Sequence, residues 1–175
     1  MLALPVPASH GQNRPFLVSD AGIGDITAQT PYTPEAVSAR LGGLPVKAIN
    51  LRYENFPTPA LEATRDGKRV LLAFKLEADI RIGWAVAYAP ESMTATGVAI
   101  GTPMAQVFTD LPNRHCRNGL EQQTGLVFCP ASDLQNVRYA FRCNYRTRED
   151  VLPPAEVLAG CPLESLIWIA PEASR

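Results

Sequence analysis

The sequence predicts an α+β fold: two tandem helix-plus-antiparallel-strand repeats forming one compact domain, with short helices against antiparallel sheet. Three observations predict it. "GIGDITAQTPYTPEAV", beginning at Gly22, and "GVAIGTPMAQVF", beginning at Gly97, both pass through glycine, isoleucine and glycine to a Thr-Pro pair and an apolar stretch. Runs of alternating apolar residues follow each of them. Both halves then close on a tryptophan-containing run ending in Ala-Pro-Glu, "IGWAVAYAPE" and "LIWIAPE". Self-similarity at this period marks a repeated supersecondary unit, here residues 22–91 and 97–172. They make one domain over 19–175, with 1–18 as a signal-peptide remnant or mobile tail.

The elements follow in order. Residues 32–44 predict a helix: Thr33 is an N-cap, Pro34 suits the first helical position, and Gly42-Gly43 stop it. Tyr32 before the cap can pack on Val37 as a hydrophobic staple. "VKAINLRY" places Ile49, Leu51 and Tyr53 on one side of a strand. "ALEATRDGKRVLLAFKLE" is a hairpin around a type I′ Asp66-Gly67 turn. Its return alternates Val70, Leu72, Phe74 and Leu76. "DIRIGWAVAYA" alternates Ile80, Ile82, Trp84, Val86 and Tyr88, a strand with one buried face.

The order then restarts. Thr102 caps a helix that begins at Pro103, carries Met104, Val107, Phe108 and Leu111 on one face, and ends before Pro112. "TGLVFC" and "NVRYAFRCNY" are strands, the second alternating Val137, Tyr139, Phe141, Cys143 and Tyr145. "PAEVLAG" is a short turn or helix, and "LESLIWIAPE" is the last strand. Trp84 and Trp168 fall in equivalent strands, as core residues.

Composition bounds the function. The 175 residues carry 16 basic and 17 acidic side chains, a formal net charge of -1. Up to Met93 there are nine of each and beyond it seven and eight, so neither half is polarised toward nucleic acid or an anionic membrane. No apolar run approaches the roughly 18 residues of a membrane span. The start, "MLALPVPASHG", resembles the end of a signal peptide with mature protein from Ser9, or a frayed terminus. Sixteen prolines imply many short elements.

The glycine stretches are not phosphate loops. A dinucleotide fingerprint needs a third glycine in a β-α-β unit, and a P-loop needs a lysine that neither stretch has. With only His10 and His115, a Ser-His-Asp triad has little to draw on. Cys116 beside His115 is a poor nucleophile-base pair, because adjacent side chains rarely face each other. Asp25, Glu35 and Asp110 read as helix-start or loop charges. No cofactor and no metal site is predicted. Cys116, Cys129, Cys143 and Cys161 are separated by 12, 13 and 17 residues, too far apart for a Cys-x-x-Cys metal site. An even, clustered set predicts two disulfides and an oxidising compartment. The chain order suggests Cys116–Cys129 and Cys143–Cys161; Cys116–Cys161 with Cys129–Cys143 is the rival.

"SDAGIGDITAQTPYTPEAVSARL", "TGVAIGTPMAQVF", Cys116 with Cys129, and "LIWIAPE" together resemble the sigma-E-regulated envelope lipoproteins of Gram-negative bacteria, a family carrying a domain of unknown function. The resemblance covers residues 19–170. It implies a periplasmic α+β domain in an envelope-stress setting, no catalytic residues, and the pair Cys116–Cys129. The chain departs from the family in two ways. No lipid-bearing cysteine follows "LALPVPA", and Cys143 and Cys161 are additional. The tandem arrangement is also similar to the folds of beta-lactamase inhibitors and small outer-membrane-assembly lipoproteins.

One surface feature stands out. On "NVRYAFRCNYR", Arg138, Arg142 and Arg146 recur at even spacing opposite the apolar face, a cationic row for an acidic partner. Paired carboxylates across the strands are the alternative. The expected function is a non-enzymatic periplasmic or secreted binding module, monomeric, with an unknown protein or envelope component as partner. An inhibitor-like module that docks on an envelope enzyme is the second expectation, and a hydrolase the third.

Overall fold

The structure, a computed structural model, describes residues 16–53, 56–76, 80–111, 115–120, 123–145 and 151–171. Within them the chain runs β1 (Leu17–Ser19), β2 (Gly22–Ile23), β3 (Ile26–Thr27), α1 (Pro34–Arg40), β4 (Val46–Tyr53), β5 (Phe56–Arg65), β6 (Lys68–Lys75), β7 (Ile82–Ala87), β8 (Met93–Thr94), α2 (Met104–Val107), β9 (Arg117–Asn118), β10 (Leu126–Pro130), β11 (Val137–Arg142), α3 (Ala155–Gly160) and β12 (Leu163–Ile169). The fold is mostly antiparallel sheet with a few short helices, richer in strand than the sequence reading expected.

Local chemistry explains the sharpest elements. Asp66 and Gly67 both take positive φ, 52° and 73°. A two-residue I′ turn requires that, and it sets the β5–β6 hairpin. Thr33 Oγ1 accepts the Ala36 N–H at 3.2 Å, and Pro34 opens α1. Gly22 lies so close to β3 that a Cβ there would fall 1.8 Å from the Ile26 carbonyl oxygen.

The second helix is a correction. It spans only Met104–Val107; Pro103 is its N-cap residue, no side chain caps it, and Phe108 is already extended. Tertiary pairing overrides the helical spacing. Gly101 N–H donates to the Leu163 carbonyl, Leu163 N–H donates to the Thr102 carbonyl, and Pro103 bridges Pro162. These bonds hold Thr102 as an extended flank of β12 rather than as a cap.

Eight strands form one sheet in the order β4-β5-β6-β7-β12-β11-β10-β9, and β3-β2-β1-β8 form a small second sheet. Each half of the chain thus supplies four strands to the large sheet, and the closing strands β7 and β12 meet antiparallel at its centre. Val37 of α1, Met104 of α2, Leu158 of α3, and Val18, Ile23 and Ile26 of the small sheet all join one core with one face of the large sheet. Phe16 and Val18, assigned to the tail on sequence, are core residues.

Two bulges correct the strand faces. Ala63 pairs with Leu71 and Thr64 with Arg69, so Val70 is an extra residue in β6. Phe74 pairs with Trp84 and Lys75 with Ile82, so Gly83 is extra in β7. Each extra residue shifts the alternation by one. Val70 and Ile82 therefore face the main core, whereas Leu72, Phe74, Trp84, Val86 and Tyr88 face away from it. Ile80 is exposed. Trp168 lies in the main core and Trp84 on the opposite face, so the two tryptophans are not counterparts.

The main-core side of β7 is lined by Ala85, Ala87 and Ala89. Opposite them, Trp168 pairs with Ala85 and Leu166 with Ala87. Small against large lets the layers interdigitate without voids. Trp168 Nε1–H donates to the Asp20 carbonyl at 3.0 Å, and Asp20 Oδ1 accepts the Asn136 N–H at 2.7 Å. This latch joins the β1–β2 turn to the centre of the large sheet. A second polar contact binds β11 to β8: the Tyr139 hydroxyl bonds the Thr94 and Thr96 side chains. Burial first, then the charge of Asp133, pushes the Tyr139 hydroxyl up to about 12 against those bonds.

Ala85→Leu is expected to overpack against Trp168 and to cost about 1–3 kcal/mol in chemical denaturation. Tyr139, with its folded pKa raised, contributes stability that is complete below pH 10.0 and lost as pH rises toward 12. Denaturation of wild type and Tyr139→Phe side by side should show this component of alkaline loss in the wild type alone.

Candidate functional site on the open face of the sheet

The bulges at Val70 and Gly83 send large side chains to the face away from the helices. There Ala60, Leu72, Phe74 and Val86 form a buried floor. Ile49, Leu51, Trp84, Tyr88 and Ile167 pack around it, half-buried. Phe74 and Trp84 are cross-strand partners, with ring centroids 3.6 Å apart and planes 4° from parallel. Every member of this cluster comes from the large sheet or its immediate end. Among the described residues, no helix and no strand of the small sheet adds to it.

Register places charge at both ends of this platform. One line across the strands pairs Lys47 with Glu62, Glu62 with Leu72, Leu72 with Val86, Val86 with Ile167, and Ile167 with Arg138. At the usual spacing between strands, this line is about 24 Å long. At its first end Glu62 Oε1 accepts from Arg69 at 2.7 Å, and Glu62 Oε2 lies 3.1 Å from Lys47 Nζ. Burial works against the Glu62 charge, but the bonds from Arg69 and Lys47 outweigh it and hold the carboxyl below its usual range. Two cations against one carboxylate leave this end positive.

The arginine row resolves unevenly. Arg138 and Arg142 lie on β11 opposite Val137, Tyr139 and Phe141 of the main core. Arg146 lies outside the described residues. Arg142 is held by Glu164 in a two-pronged pair, with Nη2 at 2.8 Å from Oε1. Those bonds raise the Arg142 pKa, and burial works the other way. Glu164 reaches Arg142 because β12 bulges there: Ala140 pairs with Ser165 and Phe141 with Leu163. Arg142 is therefore engaged within the chain. Arg138 Nη1 donates at 3.0 Å to the carbonyls of Gln135 and Val137, and no carboxylate among the described residues pairs with it. It stands at the edge of the apolar platform, beside Ile167. The platform itself escaped sequence reasoning; the run of large residues on β6 and β7 was the available signal, but it was assigned to the core.

Other regions offer less chemistry. A depression beside β9 and β10 is lined by Asn118, Thr124, Leu126, Tyr145 and Pro153, and no carboxylate, lysine or histidine among the described residues lines it. Asp25 and Asp110 are exposed, and Glu35 sits in the first turn of α1. Cys116 is bonded to Cys129, with Cα atoms 4.2 Å apart, and Cys143 to Cys161, at 4.9 Å. The first bridge ties the approach to β9 onto β10. The second ties the end of β11 to the residue that joins α3 to β12. Two disulfides are the chemistry of an oxidising compartment. No helix among the described residues is long and apolar enough to cross a membrane.

A sheet-rich, disulfide-bonded domain with helices on one face and an apolar platform on the other is the class these features define. The chain belongs to the family described as "Protein of unknown function (DUF1131)", which matches residues 7–170. It is similar to "Uncharacterized protein YfeY" of Escherichia coli (strain K12), at 24% identity over 153 residues, 86% of this chain and 78% of the relative. The crystal structure of yfeY from Escherichia coli shares the fold. The TM-score is 0.74 at 22% identity, over 87% of this chain and 99% of that one.

Glu62→Gln is expected to destabilise the protein by about 1 kcal/mol near pH 7, through weakened bonds to Arg69 and Lys47. A carboxylate with a depressed folded pKa stabilises above its unfolded pKa, and the gain is lost as pH falls through the folded value. The difference between wild type and variant in urea denaturation should therefore shrink as the pH is lowered below the usual glutamate range.

Proposed function

We propose that this protein is a non-enzymatic binding module of the bacterial periplasm, working in the envelope-stress setting that the lipoprotein resemblance implies. The observation that carries the reading is the open sheet face, where a stacked Phe74–Trp84 pair, Tyr88, Ile49, Leu51 and Ile167 make an apolar surface with Arg138 at its edge. Aromatic residues and arginine are the side chains that concentrate binding energy at protein interfaces. An apolar patch rimmed by charge marks an interaction surface more often than a solvated one. The partner that fits is a protein with an apolar centre and a carboxylate placed for Arg138. Location in the periplasm is supported by the two disulfides and by the relative from a Gram-negative bacterium. In the same reading the two halves derive from one unit, since each runs from a helix into four strands of the large sheet, the second with α3 inserted before its last strand, and the closing strands meet at the centre.

The test uses immobilised wild-type protein, Leu51→Lys and Arg138→Glu against periplasmic extract, followed by affinity measurement with the purified captured protein. Both variants are expected to bind at least ten-fold more weakly, a loss of about 1.4 kcal/mol. Equal affinity for all three forms would remove the open face from consideration.

A further inference from the structure

The large sheet ends on two very different strands. β9 has two residues, whereas β4 has eight, paired to β5 without a bulge from Val46 to Tyr53. The hydrogen-bond parity of β4 follows from the prolines beside it. Thr64 N–H donates to the Pro45 carbonyl at 3.0 Å, so the pair Pro45–Thr64 is a bonded one. Bonded and unbonded pairs alternate along an antiparallel ladder. Lys47, Ile49 and Leu51 therefore bond β5, and Asn50 and Arg52 face Pro59 and Pro57 in unbonded pairs. That is the only arrangement two donorless prolines permit.

The backbone N–H and C=O groups of Val46, Ala48, Asn50 and Arg52 consequently point away from the sheet. Among the described residues, β4 pairs with β5 alone. The other side of this hairpin is treated differently. Pro57 and Pro59 remove the outward donors of β5 beyond Ala60, a common device for blunting a sheet edge. β4 carries no proline between Val46 and Tyr53, and its outward edge remains a template for another strand.

We infer that β4 accepts an extended segment of a partner protein by strand addition, and that this segment sets apolar residues opposite Ile49 and Leu51 between carboxylates opposite Lys47 and Arg52. Side chains opposite Ile49 and Leu51 would extend the apolar platform, so they are apolar. β4 bears Lys47 and Arg52, both exposed, and no acidic residue, so the added strand carries carboxylates facing them. The same charge disfavours a second copy of this chain, which would set two cationic strands side by side. This surface is an edge and not the open face, and its failure would leave the open-face reading standing.

The probe is the capped hexapeptide acetyl-Glu-Val-Thr-Ile-Thr-Glu-amide, titrated into the full chain while amide hydrogen exchange is followed. Protection should rise at Ala48, Asn50 and Arg52 and stay unchanged at Ile49 and Leu51. The peptide with lysine in place of both glutamates should bind at least ten-fold more weakly, and Arg52→Glu should narrow or reverse that preference. Ala48→Pro, which removes an outward donor and leaves the bonds to β5 in place, should abolish binding with little change in thermal midpoint. Arg138→Glu should bind the peptide like wild type. Four results would overturn the inference: no alternating protection at millimolar peptide, equal binding of the lysine peptide, an unchanged preference in Arg52→Glu, or a concentration-dependent dimer whose β4 amides are already protected without peptide.

Discussion

The antiparallel pairing of β7 with β12 is the interaction on which the remaining structure depends. Without it the chain would be two separate four-stranded meanders, each with unpaired edges and too little apolar area to bury. The seam works because the two strands divide the space between them. β7 presents Ala85 and Ala87 to the main core, and β12 presents Trp168 and Leu166. Trp168 can then lie flat enough in that core to donate its indole N–H to the Asp20 carbonyl. One side chain at the centre of the large sheet thereby fixes the position of the small one.

The same seam makes the open face. Because β7 spends its small residues on the core, Trp84, Val86 and Tyr88 must occupy the other side. The bulge at Val70 does the same for Leu72 and Phe74. The helices and the small sheet cover the first face, and the second keeps an apolar surface whose own members bury one another. A face of this kind is costly to leave in water, which is the physical reason to assign it a partner. Charged residues stand at its two ends, Lys47 and Arg69 around Glu62 and Arg138 beyond Ile167. The disulfides serve the opposite wing, where β9 is short and the segments before β9 and β12 have little ladder of their own to hold them.

Much of this was legible in the sequence. The β5–β6 turn followed from Asp66-Gly67, the α1 cap from Thr33-Pro34, and the core side of β11 from Val137, Tyr139 and Phe141. The four cysteines announced bridges, and their order along the chain suggested partners. These are all local statements, decided by a few adjacent residues. The arginine row was half legible. Period-2 spacing put Arg138 and Arg142 on one face, yet nothing in the spacing told that Glu164, on another strand and in a bulge, would engage one and not the other.

The sequence by itself determined where strands and the first helix lie, because propensity, capping and turn chemistry act over a few residues. Its motifs, spread from the first glycine pair to the closing Ala-Pro-Glu, also pointed to a family carrying a domain of unknown function. Only the tertiary structure decided which face each strand turns to the helices. Alternation defines two faces but does not name them, and a single extra residue, Val70 or Gly83, exchanges the two for the rest of the strand. Only the tertiary structure took Thr102 out of the capping position of α2, since the carbonyl of Leu163 that ties down Gly101 comes from a strand some sixty residues away. Edge status was likewise invisible beforehand: β4 and β6 have similar sequences as strands, and what separates them is that one has a neighbour on each side and the other has a neighbour on one.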